Sequence, residues 1–131
     1  MAYRIYLVDD DKFLLDLYMV KFKNAGHEVT AFNSGQEFLT AVRKEGAVAP
    51  DAVLLDIIMP GVGGFEVLEA LRKENLIPKS KIIILSNQGL DADIEKAKQF
   101  NIDGYIVKAS AIPSEVLTET LRIIGTAAPT T

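Results

Sequence analysis

The stretch PDAVLLDIIMPGVGG, from Pro50 to Gly64, decides how this chain is read. Asp51 to Leu55 is short and almost wholly apolar, the pattern of a strand covered on both faces in a parallel sheet, and it ends in the carboxylate of Asp56. Met59-Pro60 and the glycines Gly61, Gly63 and Gly64 then break the strand before a helical pattern resumes at Phe65. In an open α/β sheet, ligands bind in the crevice beyond the carboxyl ends of the strands. An aspartate there is ambiguous by itself, because it also ends a strand or caps the next helix. The rest of the chain has to decide.

On both sides of that stretch, strand-like and helical runs alternate. Arg4–Val8 reads as the first strand and is followed at once by Asp9, Asp10 and Asp11. Residues 12–25 are helical, with Leu14, Leu17, Tyr18 and Phe22 near 3.6-residue spacing and Gly26 as the stop. Glu28–Phe32 is a second strand. Ser34 caps a helix through Arg43, with Glu37 completing a capping box. The third strand is Asp51–Asp56, and the third helix spans about residues 64–74 with Phe65, Leu68 and Leu71 on one stripe. Lys81–Ser86 is another buried strand. A helix of mixed charge runs from about Asp91 to Phe100, and Asn101 stands where a left-handed cap is wanted. Residues 105–108 form the fifth strand. A last helix runs from Pro113 to Ile124 with Leu117, Leu121 and Ile124 inward. Strict alternation predicts right-handed crossovers and a parallel sheet with helices on both faces. Residues 126–131 (TAAPTT) read as a flexible tail or the start of a linker.

Composition bounds the function. With 131 residues, 49% of them hydrophobic and 24% charged, the chain is expected to be one globular domain. No apolar run approaches the roughly 20 residues that cross a bilayer, and the chain enters a strand directly after Met1, so neither membrane span nor signal peptide is expected. The absence of cysteine removes disulfides, thiolate nucleophiles and zinc–thiolate sites, which fits a cytoplasmic setting. A net charge of −4 argues against direct nucleic acid binding by this domain.

A parallel sheet brings every strand's carboxyl end to one edge. That edge collects Asp9, Asp10, Asp56, Ser86 and Lys108. Clustered carboxylates repel and raise one another's pKa, a repulsion that a hard divalent cation with oxygen ligands relieves; Mg²⁺ suits few carboxylates and several waters. Three acids, a hydroxyl and an ammonium are suited to phosphoryl transfer, with an Asp carboxylate as nucleophile and the charge of the transferring group stabilised around it.

At these residues the chain resembles the receiver domains of two-component response regulators, over about residues 3–125. The family's acidic pair matches Asp9 and Asp10. Its D-x-x-M-P-x-x-x-G motif is met by Asp56, Met59, Pro60 and Gly64, its hydroxyl by Ser86, its lysine by Lys108 and its switch aromatic by Tyr105. The intervals of 30 residues from Asp56 to Ser86 and 22 from Ser86 to Lys108 agree as well. The resemblance implies a flavodoxin-like doubly wound fold, a five-stranded parallel sheet of order 2-1-3-4-5 with five helices, occupying residues 1–125. It implies Asp56 as phosphoacceptor for a histidine kinase or phosphotransfer protein, and Mg²⁺ held by Asp9, Asp10, Asp56 and the Ile58 carbonyl. It further implies a switch at Ser86 and Tyr105, read out at the helix 4–strand 5–helix 5 face, through which a homodimer would also form. Such a domain is a signalling module that catalyses its own phosphotransfer and dephosphorylation, rather than a turnover enzyme.

Four departures stand out. Ala109 follows Lys108 where the family usually has Pro, Asn87 stands where Ala or Gly is usual, and Phe32 and Phe38 replace common alanines. A phosphohydrolase with an aspartyl nucleophile would place a second Asp two residues on, where this chain has Ile58. A flavin site lacks its phosphate loop after the first strand, and a receiver that works without phosphorylation would not need the full acid, hydroxyl and lysine set. Ile58 and Gln88, each two residues beyond a site residue, are placed to govern water access to a phosphoryl group. His27, the only histidine, falls in a turn far from the acidic edge and reads as structural.

Overall fold

The computed structural model describes residues 2–87 and 91–125. Strands β1 (Arg4–Val8), β2 (Glu28–Phe32), β3 (Ala52–Leu55), β4 (Lys81–Ser86) and β5 (Gly104–Val107) alternate with helices α1 (Lys12–Asn24), α2 (Gly35–Arg43), α3 (Gly64–Lys73), α4 (Asp91–Lys98) and α5 (Pro113–Gly125). All strand pairs are parallel and the order is β2-β1-β3-β4-β5, as the alternation and the resemblance imply. The tail at residues 126–131 and the position of Gln88 lie outside the described residues.

Alternating side chains of the central strands feed two apolar layers. Val53, Leu55, Ile82 and Ile84 face Phe38, Val67, Leu68 and Leu71 of α2 and α3. Ala52, Leu54, Ile83 and Leu85 face Leu15, Tyr18 and Phe22 of α1 and Val116 and Ile123 of α5. Both faces of β3 and β4 are thereby covered, which is why these strands read as continuous apolar runs. Each buried aliphatic side chain contributes about 1.5–3 kcal/mol.

Helix ends follow their local chemistry, with one shift. Asp11 caps α1, its Oδ1 accepting from Leu14 N at 3.2 Å, and Gly26 sits at φ 93 beyond the helix. Ser34 Oγ accepts from Glu37 N at 3.1 Å, but the Glu37 carboxylate accepts from Asn33 N, one residue before the expected partner. Asn101 takes the left-handed conformation expected of it, at φ 59. Tyr6, Phe32 and Phe38 meet edge to face with ring centroids 5.2–6.3 Å apart, the repacking that the two extra phenylalanines required.

Three sequence expectations are corrected. In α1, Leu15 is buried while Leu17 is 42% exposed. In α5, Val116, Thr120 and Ile123 are buried with Ile124, and Leu117 and Leu121 are only half-buried. Adjacent apolar residues offer two stripes one residue apart, and the sheet selects between them. Thr120 is tolerated inside because its hydroxyl donates to Val116 O at 2.7 Å. Finally, β5 ends at Val107, and Lys108 opens a 3-10 turn through Ser110 instead of ending the strand. No peptide among the described residues is cis, so Lys108–Ala109 is trans.

Candidate functional site

Main-chain hydrogen bonds anchor the acidic edge. Asp9 N donates to Phe32 O at 3.1 Å and Asp56 N to Val8 O at 2.9 Å, extending the ladders one residue beyond the strands. After Asp56 the chain folds back so that Gly64 N donates to Ile57 O at 2.8 Å. A Cβ at position 64 would lie 2.4 Å from Asp56 O and 2.6 Å from Ile57 Cα, so only glycine allows α3 to begin against the Asp56 loop. Gly63 N in turn donates to Glu66 Oε1 at 3.0 Å, fixing the first turn of α3.

These constraints place Asp9, Asp10, Asp56, Ser86 and Lys108 around one open cleft of about 290 Å³, as the sequence expects. Asp9 and Asp56 are buried and Asp10 is exposed, with one oxygen of each carboxylate within 4.8 Å of the others. Lys108 Nζ lies 2.5 Å from Asp9 Oδ2 and 3.3 Å from Asp56 Oδ2. Asp9 Oδ1 also accepts from Asp11 N at 2.9 Å, and Asp56 Oδ1 from Ile58 N at 3.4 Å. Ile58 turns its side chain outward, 59% exposed, at the cleft, which Asn87 also lines.

One ammonium between two buried carboxylates leaves a charge imbalance. Burial, together with the charge of Asp9 and against the pull of Lys108, pushes the Asp56 carboxyl up from its ordinary 3.8 to about 6. For Lys108, burial is the largest single influence and opposes its charge. The hydrogen bond to Asp9 and the charges of Asp56 and Asp9 outweigh it, so the ammonium is held above the ordinary lysine range. All three acids present hard oxygen donors, and their net negative charge is what a divalent cation would neutralise; the donor set fits Mg²⁺.

Ser86 is fully buried at the end of β4, and its side chain shares a hydrogen bond with the Tyr105 phenol. Burial and Asp93 push that phenol's pKa up, and the bond to Ser86 pulls it down. Ser86 and Tyr105, which the resemblance marks as a switch pair, are therefore in contact. His27 sits elsewhere: its Nδ1 accepts from Tyr3 N at 3.0 Å and its ring stacks on Tyr3 at 5.6 Å, a structural role. The charges of α4 form a mostly solvated face on which only Ala97 is buried, and Lys96 lies over the Phe65 ring at 4.4 Å.

Residues 5–122 match the family described as response regulator receiver domain. The chain belongs to the response regulator receiver domains. Receivers of this family are the phospho-accepting modules of two-component signalling, and this chain is one of them. Among curated relatives it is similar to the DNA-binding response regulator MtrA of Mycolicibacterium paratuberculosis, 32% identical over 82% of this chain and 45% of that protein. It is also similar to the regulatory protein VanRc of Enterococcus gallinarum, 31% identical over 82% of this chain and 44% of that one. The chain thus spans about half the length of the curated relatives it matches. A CheY-like receiver domain protein from Methanospirillum hungatei superposes with TM-score 0.84 at 25% identity, covering 97% of both chains. DrrB of Thermotoga maritima superposes with TM-score 0.79 at 27% identity, over 96% of this chain and 54% of that one.

Sequence reasoning about this receiver missed Tyr18, which it read only as a core residue. The buried ring lies in the field of Lys108, Asp9 and Asp11. The available signal was its place two turns after the acidic run, on the face of α1 turned towards β5. Among the described residues no helix is long and apolar enough to cross a membrane.

Proposed function

We propose that residues 1–125 form a cytoplasmic receiver unit that takes a phosphoryl group from the phosphohistidine of a sensor kinase or phosphotransfer protein onto Asp56. The observation that supports it is the ammonium of Lys108 shared between Asp9 and Asp56 on the floor of an open, acid-lined cleft. A carboxylate so placed is accessible to a donor and electrostatically primed to lose negative charge density to an incoming phosphorus. An Asp56 oxygen bonds to phosphorus as the P–N bond breaks, and the electron pair of that bond returns to the donor imidazole. Lys108 pairs with the phosphoryl oxygens as they approach. Ser86 donates its hydroxyl to one of them, which frees Tyr105 to change rotamer at the β5 face. Asp9, Asp10, Asp56 and the Ile58 carbonyl would hold Mg²⁺, which when bound supplies charge neutralisation for the transferring oxygens.

On this reading the chain catalyses its own phosphorylation and dephosphorylation, and phosphorylation shifts its population towards a conformer recognised at the α4–β5–α5 face, by an output partner or a second copy. It contacts neither nucleic acid nor membrane directly, and residues 126–131 serve as tail or linker. The deciding experiment is incubation with acetyl phosphate and Mg²⁺. Wild type gains one acid-stable, base-labile phosphoryl group and Asp56→Asn gains none. Labelling that persists in Asp56→Asn refutes the choice of nucleophile. Because the Asp56 carboxyl is pushed up to about 6 in the absence of metal, protonation competes with Mg²⁺ for it and labelling falls as the pH is lowered. Structures with and without a beryllofluoride mimic test the switch, since identical positions of Ser86 and Tyr105 in both would exclude it.

A further inference from the structure

The buried polar side chains of this receiver are almost all accounted for. His27 is bonded to Tyr3 N, Ser80 to Pro50 O and Thr120 to Val116 O; Asp9 and Asp56 share Lys108, and Ser86 meets Tyr105. Tyr18 differs. It is 3% exposed, yet its hydroxyl makes no hydrogen bond among the described residues. An unmatched buried hydroxyl costs about 1–3 kcal/mol, so a leucine there would pack at lower cost.

The surroundings of that hydroxyl are specific. Tyr18 lines a groove of about 510 Å³ between α1 and the β5–α5 connection, and the same groove is lined by Lys108, Asn87 and Ser110. Lys108 has three N–H donors, and the carboxylates of Asp9 and Asp56 take two of them. Lys108 thus has a third donor and Tyr18 a hydroxyl without a protein partner among the described residues, and both residues border one space. That space is large enough for a water and offers it the two to four polar partners a bound water needs. Lys108 also stands at the start of a short 3-10 turn, not on the strand.

We propose that Tyr18 is a positioning residue, its hydroxyl holding the Lys108 ammonium in place through one bridging water in this groove. The proposal rests on the reading of Asp56 as acceptor only for its kinetic consequence. Without the bridge, Lys108 follows Asp9 and is less often placed against Asp56 when a phosphoryl group arrives.

Tyr18→Phe keeps the ring and deletes the oxygen. Single-turnover phosphorylation by acetyl phosphate should slow about tenfold at saturating donor with KM unchanged, the effect of losing one hydrogen bond to a charged group. In a Lys108→Ala background the same substitution should have no further effect. A second readout needs no phosphorylation: hydrogen exchange of the ¹⁵N-labelled Lys108 ammonium should quicken about tenfold in Tyr18→Phe. An unchanged rate and unchanged exchange overturn the proposal, as does an equal loss in both Lys108 backgrounds. If wild type takes no label at Asp56 while the exchange still depends on Tyr18, the phosphoacceptor reading fails and the link between Tyr18 and Lys108 stands.

Discussion

The two edges of the sheet carry similar numbers of polar side chains and use them in opposite ways. At the edge where strands begin, polar groups are spent on backbone. His27 accepts from Tyr3 N, Asp51 from Arg4 N at 2.8 Å and Asp103 from Ile82 N at 2.8 Å, while Ser80 donates to Pro50 O at 2.6 Å. Each of these bonds satisfies a strand end that would otherwise lack a partner. At the edge where strands finish, the main chain is already paired and the polar groups face one another: Asp9 and Asp56 against Lys108, Ser86 against Tyr105. At the first edge these groups are spent on main-chain partners. The other retains excess negative charge in a buried place and is ready to take up a ligand that relieves it. The same residue type, aspartate, therefore contributes to folding at one end and, on the proposed reading, to chemistry at the other.

The largest test of that division is the metal. Asp10→Ala should abolish saturable Mg²⁺ binding followed by resonances at Asp9, Asp56 and Ile58; unchanged binding would remove Asp10 from the site. Next comes the lifetime of the phosphorylated form. The exposed Ile58 side chain at the cleft rim cannot orient a water, so we expect a phosphoryl group that persists for minutes to hours, and Ile58→Asn should hydrolyse it faster by up to on the order of 10²-fold. If that variant loses phosphate no faster, Ile58 does not govern water access to the cleft.

A third test concerns stability. The Asp56 carboxyl titrates at about 6 in the fold against an ordinary 3.8, so the folded protein binds its proton more tightly than the unfolded chain does. Below both values the group is neutral in either state and costs nothing. Stability is lost as pH rises from about 4 to 6 and then stays level. Asp56→Asn should therefore be more stable than wild type at pH 7, by about 3 kcal/mol without metal, and match it near pH 3.5. Equal melting at both pH values would mean that the site stores no such repulsion. The smallest effect is expected at the other edge. Asp103→Ala should cost about 1 kcal/mol of stability and leave the phosphorylation rate unchanged; a slower rate would show that the two edges are coupled.

Much of this was legible in the sequence, for identifiable reasons. The parallel sheet, the helix cap at Ser34 and the convergence of Asp9, Asp10, Asp56, Ser86 and Lys108 depend on chain alternation and short-range chemistry, which sequence carries directly, while the strand order came from the family resemblance. What failed was lateral. Choosing Leu15 over Leu17 in α1, or Ile123 over Leu121 in α5, requires knowing how each helix rolls on the sheet, and neighbouring apolar residues support either choice. Glu37 reached Asn33 instead of Ser34 because a flexible carboxylate selects among adjacent amides only in three dimensions. Lys108 left the strand because β5 ends at Val107, where its pairing with Ser86 gives out. Tyr18 looked like core because its ring is core, and only its oxygen is not.

The glycine at position 64 has a further consequence. With Asp56 O and Ile57 Cα inside the space of a missing Cβ, the start of α3 is riveted to the acceptor loop. A rivet transmits force without absorbing it. On the proposed reading, an adjustment that a phosphorylated Asp56 demands would meet this close contact on the α3 side and be taken up across the cleft, towards Ser86, Tyr105 and α4, a helix whose buried residue is Ala97.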